Sequence, residues 1–417
     1  MLFLFNATTH YYNLVLNRLD KDTDYEINIA VPKDRFRNVG PAVYQTEDNL
    51  KVPLYSLEEK THRLWRCYFP ELPALLWKLR PDVIVTLEPY QFGLFWHPLT
   101  RLLLWIFGTK VILKNIPFRM PNYRSPKEIY LSKYKGLRIG RTNLKKFWNE
   151  ISEFEYTKHF YSRLYAAHVC YIEKAYEIYG TYSVDPKKIF ITYNSPDTDY
   201  LLAMNEKAKS TTPILEENPF RLIHVGRLVE WKRVDLIIRA VQHLEKDFPK
   251  IELFVLGFGP MQEPWQNLAK ELGVENRVKF VGGIYDGLEL ARYFRASQIY
   301  VLGGMGGLSI NDAMTYELPI LCSVCDGTEA HLVKDGYNGF YFNDGDYLDL
   351  AKKMSQILSQ PELARQMGEN SHYIIKNKIN TQRVLEGYTK AFQFVKAKRK
   401  IFGFQLPGRK TLRAKNV

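Results

Sequence analysis

At 417 residues and 46% hydrophobic composition, the chain can fill about two domain cores, which excludes a generally disordered protein. A formal net charge of +13 and a pI near 9.3 favour phosphate-rich partners: nucleotides, nucleic acid or an anionic membrane surface. No window offers about 18 uninterrupted apolar residues, so no bilayer-spanning helix is expected.

In chain order, Met1 to Phe5 is apolar but too short for a signal peptide, with no basic region before it, and reads as a first strand. With that first strand at Leu2–Phe5, others are expected over Tyr25–Val31, Asp82–Leu87, Lys110–Asn115, His168–Ile172 and Lys188–Tyr193, alternating with helical patterns. That alternation is the signature of a parallel sheet covered on both faces. The 28 tyrosines and 24 phenylalanines crowd the first half, and suit base stacking or a membrane interface equally.

The segment Phe92–Phe107 reads as one aromatic-rich crossover helix, either a core helix or a face that dips into the membrane interface. Arg119 to Trp148 carries nine Lys/Arg and one acid, Glu128, with Tyr123, Tyr130 and Tyr134 between them. It is either a solvated face or a patch for an anionic surface or phosphorylated acceptor. Residues 201–219 turn polar, with linker composition.

The second half repeats the alternation. Arg221–Val225 is a strand, after which Val234, Ile237, Ile238, Val241 and Leu244 share one helical face. Strands follow at Ile251–Leu256, Val278–Val281, Ile299–Leu302, Ile320–Ser323 and Phe340–Phe342, with helices between them and one over about 347–359. After Val395 the chain is basic without an acid, a tail that reads as disordered or as a lipid anchor. The expected domains are 1–200, a linker at 201–219, 220–385, and a helix with basic tail at 386–417. Of Cys67, Cys170, Cys322 and Cys325 only the last two are close. Without a second pair they read as reduced core thiols, not a zinc site.

Two stretches carry chemistry. Val301 to Met314 reads as the end of a buried strand, a loop containing Gly303, Gly304, Gly306 and Gly307, and a helix start: backbone suited to close approach of an anion. Gly226, Arg227 and Lys232 follow a strand and precede an amphipathic helix. In an open parallel sheet ligands sit beyond the carboxyl ends of the strands, so both stretches face one crevice. An arginine fork and a lysine point charge five residues apart can converge on a diphosphate.

Gly226-Arg-Leu with Lys232, Gly257-x-Gly-Pro, Gly307-Leu-Ser-Ile-Asn-Asp-Ala-Met, Leu318-Pro-Ile and Gly336-Tyr-Asn-Gly-Phe, in that order, resemble the retaining glycosyltransferases of family four. The likeness covers about residues 220–345, and more loosely the first half at Pro81–Val85 and Asp185–Asp199. It implies an α/β GT-B fold, two Rossmann-like domains facing across a cleft. It also implies transfer of a sugar from a nucleotide-sugar, UDP- or GDP-linked, with retention and without a metal or other cofactor. Arg227 and Lys232 would hold the donor diphosphate, aided by Gly226, Gly257 and the amides of Gly306, Gly307 and Leu308.

The sequence departs from that family at several points. Where the family has two glutamates separated by seven residues, this chain has Gly304 and Asp312. Asp312 keeps a carboxylate for ribose hydroxyls; Gly304 offers no side chain to the sugar. A glycine-rich loop after the first strand is replaced by Asn6-Ala-Thr-Thr-His10, and a histidine after the fourth strand by Lys114-Asn115. His10, Glu88, Lys114 and Asn115 are therefore the candidates on the acceptor side, Asn115 also as a catalytic group.

The leading reading is a transferase acting on a glycan or lipid-linked glycan of a surface polysaccharide, cytoplasmic, at the inner face of the inner membrane and in peripheral contact with anionic lipid. The alternative is a non-catalytic GT-B subunit that binds nucleotide or a partner. Nucleic-acid binding ranks last, because the basic residues fall in no recognisable module.

Overall fold

The computed structural model describes residues 1–34, 46–63, 66–115, 125–135, 141–324 and 329–397. Two wholly parallel sheets organise them. The first has seven strands in the order β3-β2-β1-β6-β7-β8-β9: β1 (Leu2–Leu4), β2 (Asn28–Pro32), β3 (Leu54–Leu57), β6 (Val83–Thr86), β7 (Lys110–Asn115), β8 (Ala167–Cys170) and β9 (Ile189–Ile191). A small antiparallel pair, β4 (Lys60–His62) and β5 (Arg66–Tyr68), stands apart from it. The second sheet has six strands in the order β12-β11-β10-β13-β14-β15: β10 (Arg221–Val225), β11 (Glu252–Leu256), β12 (Val278–Gly282), β13 (Ile299–Leu302), β14 (Ile320–Cys322) and β15 (Gly339–Tyr341).

The central strands are short and almost wholly apolar, as strands buried on both faces must be: β1 is Leu-Phe-Leu, β6 Val-Ile-Val-Thr and β13 Ile-Tyr-Val-Leu, all buried. The helix Val234–Leu244 lays Val234, Ile237, Ile238, Val241 and Leu244 into the second core, the face expected from its spacing. Each sheet reverses its winding once, between β1 and β6 and between β10 and β13. Crevices beyond strand ends form at such reversals. The first places residues 5–11 beside Glu88; the second places Gly226 and Arg227 beside the loop after Leu302.

Several expectations are corrected by the packing. The crossover segment is two helices, Gln91–Trp96 and Pro98–Phe107, because Pro98 cannot donate into a continuing helix and His97 caps the second one. Residues expected to begin a linker at 201 lie inside the helix Thr198–Lys209, whose Met204 and Ala208 pack in the core of the second unit. The last helix, Thr381–Ala397, starts before residue 386 and returns to the first sheet. Val384, Leu385, Tyr388, Ala391, Phe392 and Val395 share a core with Phe3, Ile29 and Val85. The chain thus crosses between the units twice, and the crossings are latched to one another. Thr198 N donates to Thr381 Oγ1 at 2.8 Å, and Thr381 N donates to Thr198 Oγ1 at 3.0 Å.

Much of the aromatic excess of the first half is core. Tyr90, Tyr161, Tyr165 and Tyr179 are among the largest fully buried side chains. Cys322 is buried in β14; Cys325, the tail after residue 397, and residues 119–124 and 136–140 of the basic stretch lie outside the described residues.

Candidate active site in the interdomain cleft

The wall built by the second sheet is mostly backbone. Gly226 follows β10, and Gly257 follows β11 with φ +138°, a conformation suited to glycine; a Cβ there would sit 1.9 Å from the Gly226 carbonyl oxygen. This close approach sets where Arg227 begins. Lys232 closes a short 3-10 turn, Glu230–Lys232, and is buried, yet its ammonium is not stranded. Nζ donates to the carbonyls of Met305 and Gly306, each at 2.8 Å. Gly307 completes this seat, because a Cβ on it would lie 3.1 Å from the same Nζ. Leu308 then leads into the helix Ser309–Thr315. The two stretches picked out by composition, 226–232 and 301–314, therefore meet through one buried cation.

Gly304 has a structural reason that its missing side chain did not reveal. A Cβ at that position would fall 2.2 Å from the Trp231 carbonyl oxygen and 3.0 Å from Arg233 Cγ. Gly303 is pressed in the same way, 2.1 Å from the Arg233 carbonyl oxygen. The loop lies flat on the 231–233 turn, an arrangement open only to residues without a Cβ.

Beneath the loop runs a buried polar row. His224 is neutral, its imidazolium pushed down to about 4 by burial, and its Nδ1 lies 3.0 Å from the Val301 carbonyl oxygen. Its ring stacks on Tyr300, whose hydroxyl is 2.7 Å from Ser309 Oγ. Asp312, on the first turn of the 309–315 helix, keeps part of its surface toward solvent, but burial of its carboxyl pushes it up to about 7.

The wall built by the first sheet is made of side chains. Lys114, at the end of β7, is buried among rings: Nζ lies 4.8 Å from the centroid of Tyr12 and 5.5 Å from that of Phe5, and it donates to the Tyr171 hydroxyl. Burial lowers its ammonium to about 8. Tyr11 links the walls. Its hydroxyl, raised by burial, feels Tyr171, Lys114 and Arg227, so the amine of one domain and the guanidinium of the other face a common space. Arg227 is itself lowered by burial and lies 5.8 Å from the Trp231 ring centroid.

Glu88 and Asn115 also meet, through a residue that sequence spacing did not single out. Tyr161 donates to Glu88 Oε1 at 2.6 Å and accepts from Asn115 Nδ2 at 3.0 Å. Burial raises the Glu88 carboxyl, with the Tyr161 bond opposing. Glu88, Asn115 and Tyr161 are scattered over 73 residues of chain, and only the β6–β7 pairing brings the first two together. His10 opens the helix His10–Asp22; its side chain lies outside the described residues. Among the described residues, no group of three or more His, Cys, Asp or Glu side chains is placed to hold a metal ion.

Two parallel doubly wound units with their strand ends turned to one cleft define a GT-B protein. HepE of Anabaena in complex with UDP has the same fold: TM-score 0.65 at 16% identity, over 94% of this chain and 99% of that one. Residues 206–372, in the second unit, match the family model Glycosyl transferases group 1. An uncharacterized glycosyltransferase of Methanocaldococcus jannaschii is 30% identical over 215 residues, 50% of this chain and 54% of that protein. A lipopolysaccharide core biosynthesis glycosyltransferase of Rhizobium meliloti is 25% identical over 205 residues, 48% and 57% respectively. The chain spans about half the length of these curated relatives.

Proposed function

We propose that the chain is a retaining glycosyltransferase that moves a sugar from a UDP- or GDP-sugar to a glycan or lipid-linked glycan in surface-polysaccharide synthesis. The observation that carries this reading is the buried Lys232 ammonium, seated in the glycine loop at the reversal of the second sheet, with Arg227 turned to the same cleft. A donor diphosphate would displace the Met305 and Gly306 carbonyls from Lys232 and take Arg227 as a second cation. The amides of Gly306, Gly307 and Leu308 would add neutral donors. Cations held in place before the leaving group gains charge lower the barrier without reorganisation. Asp312 would accept from the ribose hydroxyls in its ionised form.

On the acceptor side, Lys114, with Tyr11, and the Glu88–Tyr161–Asn115 chain would orient the attacking hydroxyl; His10 stands at the same strand end. Retention would follow a same-face path in which a donor phosphate oxygen takes the acceptor proton, leaving the protein chiefly to position the reactants. UDP in the HepE complex and the named role of the Rhizobium relative support this donor and acceptor class.

The setting is the cytoplasmic face of an inner membrane, in peripheral contact with anionic lipid. Trp96, Leu99, Leu102, Trp105 and Ile106 are exposed along the paired helices of 91–107. Trp77 continues the face against Phe107. No helix of the described residues is long and apolar enough to cross a membrane.

Thermal melting with UDP-, GDP-, dTDP- and ADP-sugars, followed by turnover of the stabilising donor, tests the reading, since a ligand of the native state raises its melting point. Stabilisation with transfer or hydrolysis supports it. Stabilisation without either favours a nucleotide-binding subunit, the reading suggested by Gly304 lying where the family has a glutamate.

A further inference from the structure

One cavity among the described residues lies outside the cleft. It holds about 430 Å³, within the range of small-molecule sites, and lies between the helix Pro98–Phe107, the start of β7 and the segment just before β8. These are the amino ends of the strands, whereas Lys114 and Asn115 mark the carboxyl end of the same β7. A molecule bound here is separated from the reacting groups by the length of the strand.

The cavity has two chemistries. Phe95, Leu104, Trp105 and Leu164 supply an apolar floor, while Arg101 and Lys110 supply two cations; no carboxylate lines it. Trp105 belongs both to the cavity and to the exposed apolar face, at 62% exposure, so floor and face are continuous. A sugar would leave the apolar floor uncovered, and an apolar peptide segment would leave two cations without partners. An anion carrying a hydrocarbon chain satisfies both parts.

We infer that this cavity is a binding site for one anionic phospholipid, its phosphate on Arg101 and Lys110 and an acyl chain on the floor formed by Phe95, Leu104 and Leu164. The inference rests on the membrane part of the proposed function and is independent of the sugar chemistry. Exposed Leu99, Leu102 and Ile106 rest on the bilayer surface, and the cavity draws one lipid out of register, converting general adhesion into selection of a headgroup charge.

The full chain is titrated with dioctanoyl-phosphatidylglycerol as monomers, with dioctanoyl-phosphatidylcholine as control, and sedimented with phosphatidylcholine vesicles with and without phosphatidylglycerol. Saturable binding of one monomeric phosphatidylglycerol is expected. It should weaken about tenfold to thirtyfold in the double variant Arg101→Ala/Lys110→Ala, at about one tenfold step or less per cation. Ala166→Phe, which narrows the cavity, should weaken the monomer, with the melting temperature read in parallel because Ala166 also packs against the first-domain core. Donor hydrolysis in detergent should stay unchanged in the double variant, in which the cleft is untouched. Vesicle binding without monomer binding overturns the cavity site and leaves the membrane reading standing. Equal binding of phosphatidylcholine, or monomer binding insensitive to both variants, also overturns it. Loss of both vesicle and monomer binding removes the membrane reading together with the cavity.

Discussion

The two walls of the cleft solve different problems. The second domain presents glycines and amides with one buried ammonium, Lys232, already held by loop carbonyls. The first presents a buried amine, Lys114, wrapped in tyrosine and phenylalanine, and a carboxyl tied to an amide through Tyr161. Backbone donors read only charge and shape, which suits a diphosphate common to many donors. Side chains from distant parts of the sheet can read one acceptor, and they change without disturbing the phosphate site. The contrast predicts that substitutions in the second wall abolish turnover of every donor, while those in the first alter acceptor use or stability.

The largest effect is expected at Lys232. Lys232→Ala removes the ammonium and the tie between the 226–232 and 301–314 stretches, and kcat with the stabilising donor should fall by about 10²–10³. Arg227→Ala should fall similarly while melting as the parent does. Normal turnover in both variants would break the assignment of this wall to the diphosphate.

Gly304→Glu comes next, because it introduces the glutamate that the resemblance to family four implies at a place where the Cβ collides with the Trp231 carbonyl. The loop must lift from the 231–233 turn, lowering stability by about 1–3 kcal/mol, in the range of overpacking. A melting temperature equal to the parent's would show that the loop moves freely, and that the packing of Gly303 and Gly304 is not what holds Lys232.

At Lys114, stability and activity should part. Its folded-state pKa of about 8 lies below the ordinary 10.5, so the folded protein bears a penalty for the charged amine at all pH below 8. That penalty is relieved as pH rises from about 8 to 10.5, where the unfolded chain still binds the proton. Lys114→Met should therefore raise stability at pH 7 by about 1–3 kcal/mol and flatten its rise over that alkaline window. Acceptor turnover should fall, and donor hydrolysis persist. Denaturant titrations at pH 7 and 9.5 measure the first; unchanged acceptor KM and kcat would remove Lys114 from the acceptor wall.

Tyr161→Phe should cost about 0.5–1.5 kcal/mol, since it removes the hydroxyl that joins the half-buried Asn115 amide to the carboxyl of the exposed Glu88. The smallest effect belongs to Asp312. With its carboxyl near 7, nucleotide affinity should weaken as pH falls from 8 to 6, when the group takes up a proton and no longer accepts two hydroxyls. Asp312→Asn should bind more weakly at pH 8 and show no such slope; a parent profile flat over that range would take Asp312 out of the ribose site.

Much of the fold was legible in the sequence. The short apolar strands and the 234–244 helical face are local patterns, and local patterns survive packing. The β4–β5 pair was missed because Lys60, Thr61 and His62 are all exposed and leave no apolar alternation. The single helix expected over 92–107 failed at Pro98, a known breaker masked by the hydrophobic run around it. The linker expected from 201 failed because Met204 and Ala208, two small or flexible residues among polar ones, suffice to seat a helix on a neighbouring core.

The candidate site divides in the same way. Arg227, Lys232 and the glycines 303–307 lie in contiguous strings whose chemistry needs only a strand end and a loop, and their order along the chain was enough to select them. What brought them together was the adjacency of β10 and β13, a pairing of strands 74 residues or more apart that no local spacing encodes. Tyr11, Tyr161 and Tyr171 acquire their roles only from burial beside Lys114, Arg227 and Glu88, since a tyrosine's pKa and partners depend on its surroundings and not on its neighbours in sequence. Composition and periodicity thus determined the strands, helices and phosphate-suited backbone, because those are properties of short segments. The tertiary structure alone decided which side chains share the cleft, why position 304 must lack a Cβ, and that the last helix belongs to the first domain, because those depend on contacts between segments distant in the chain.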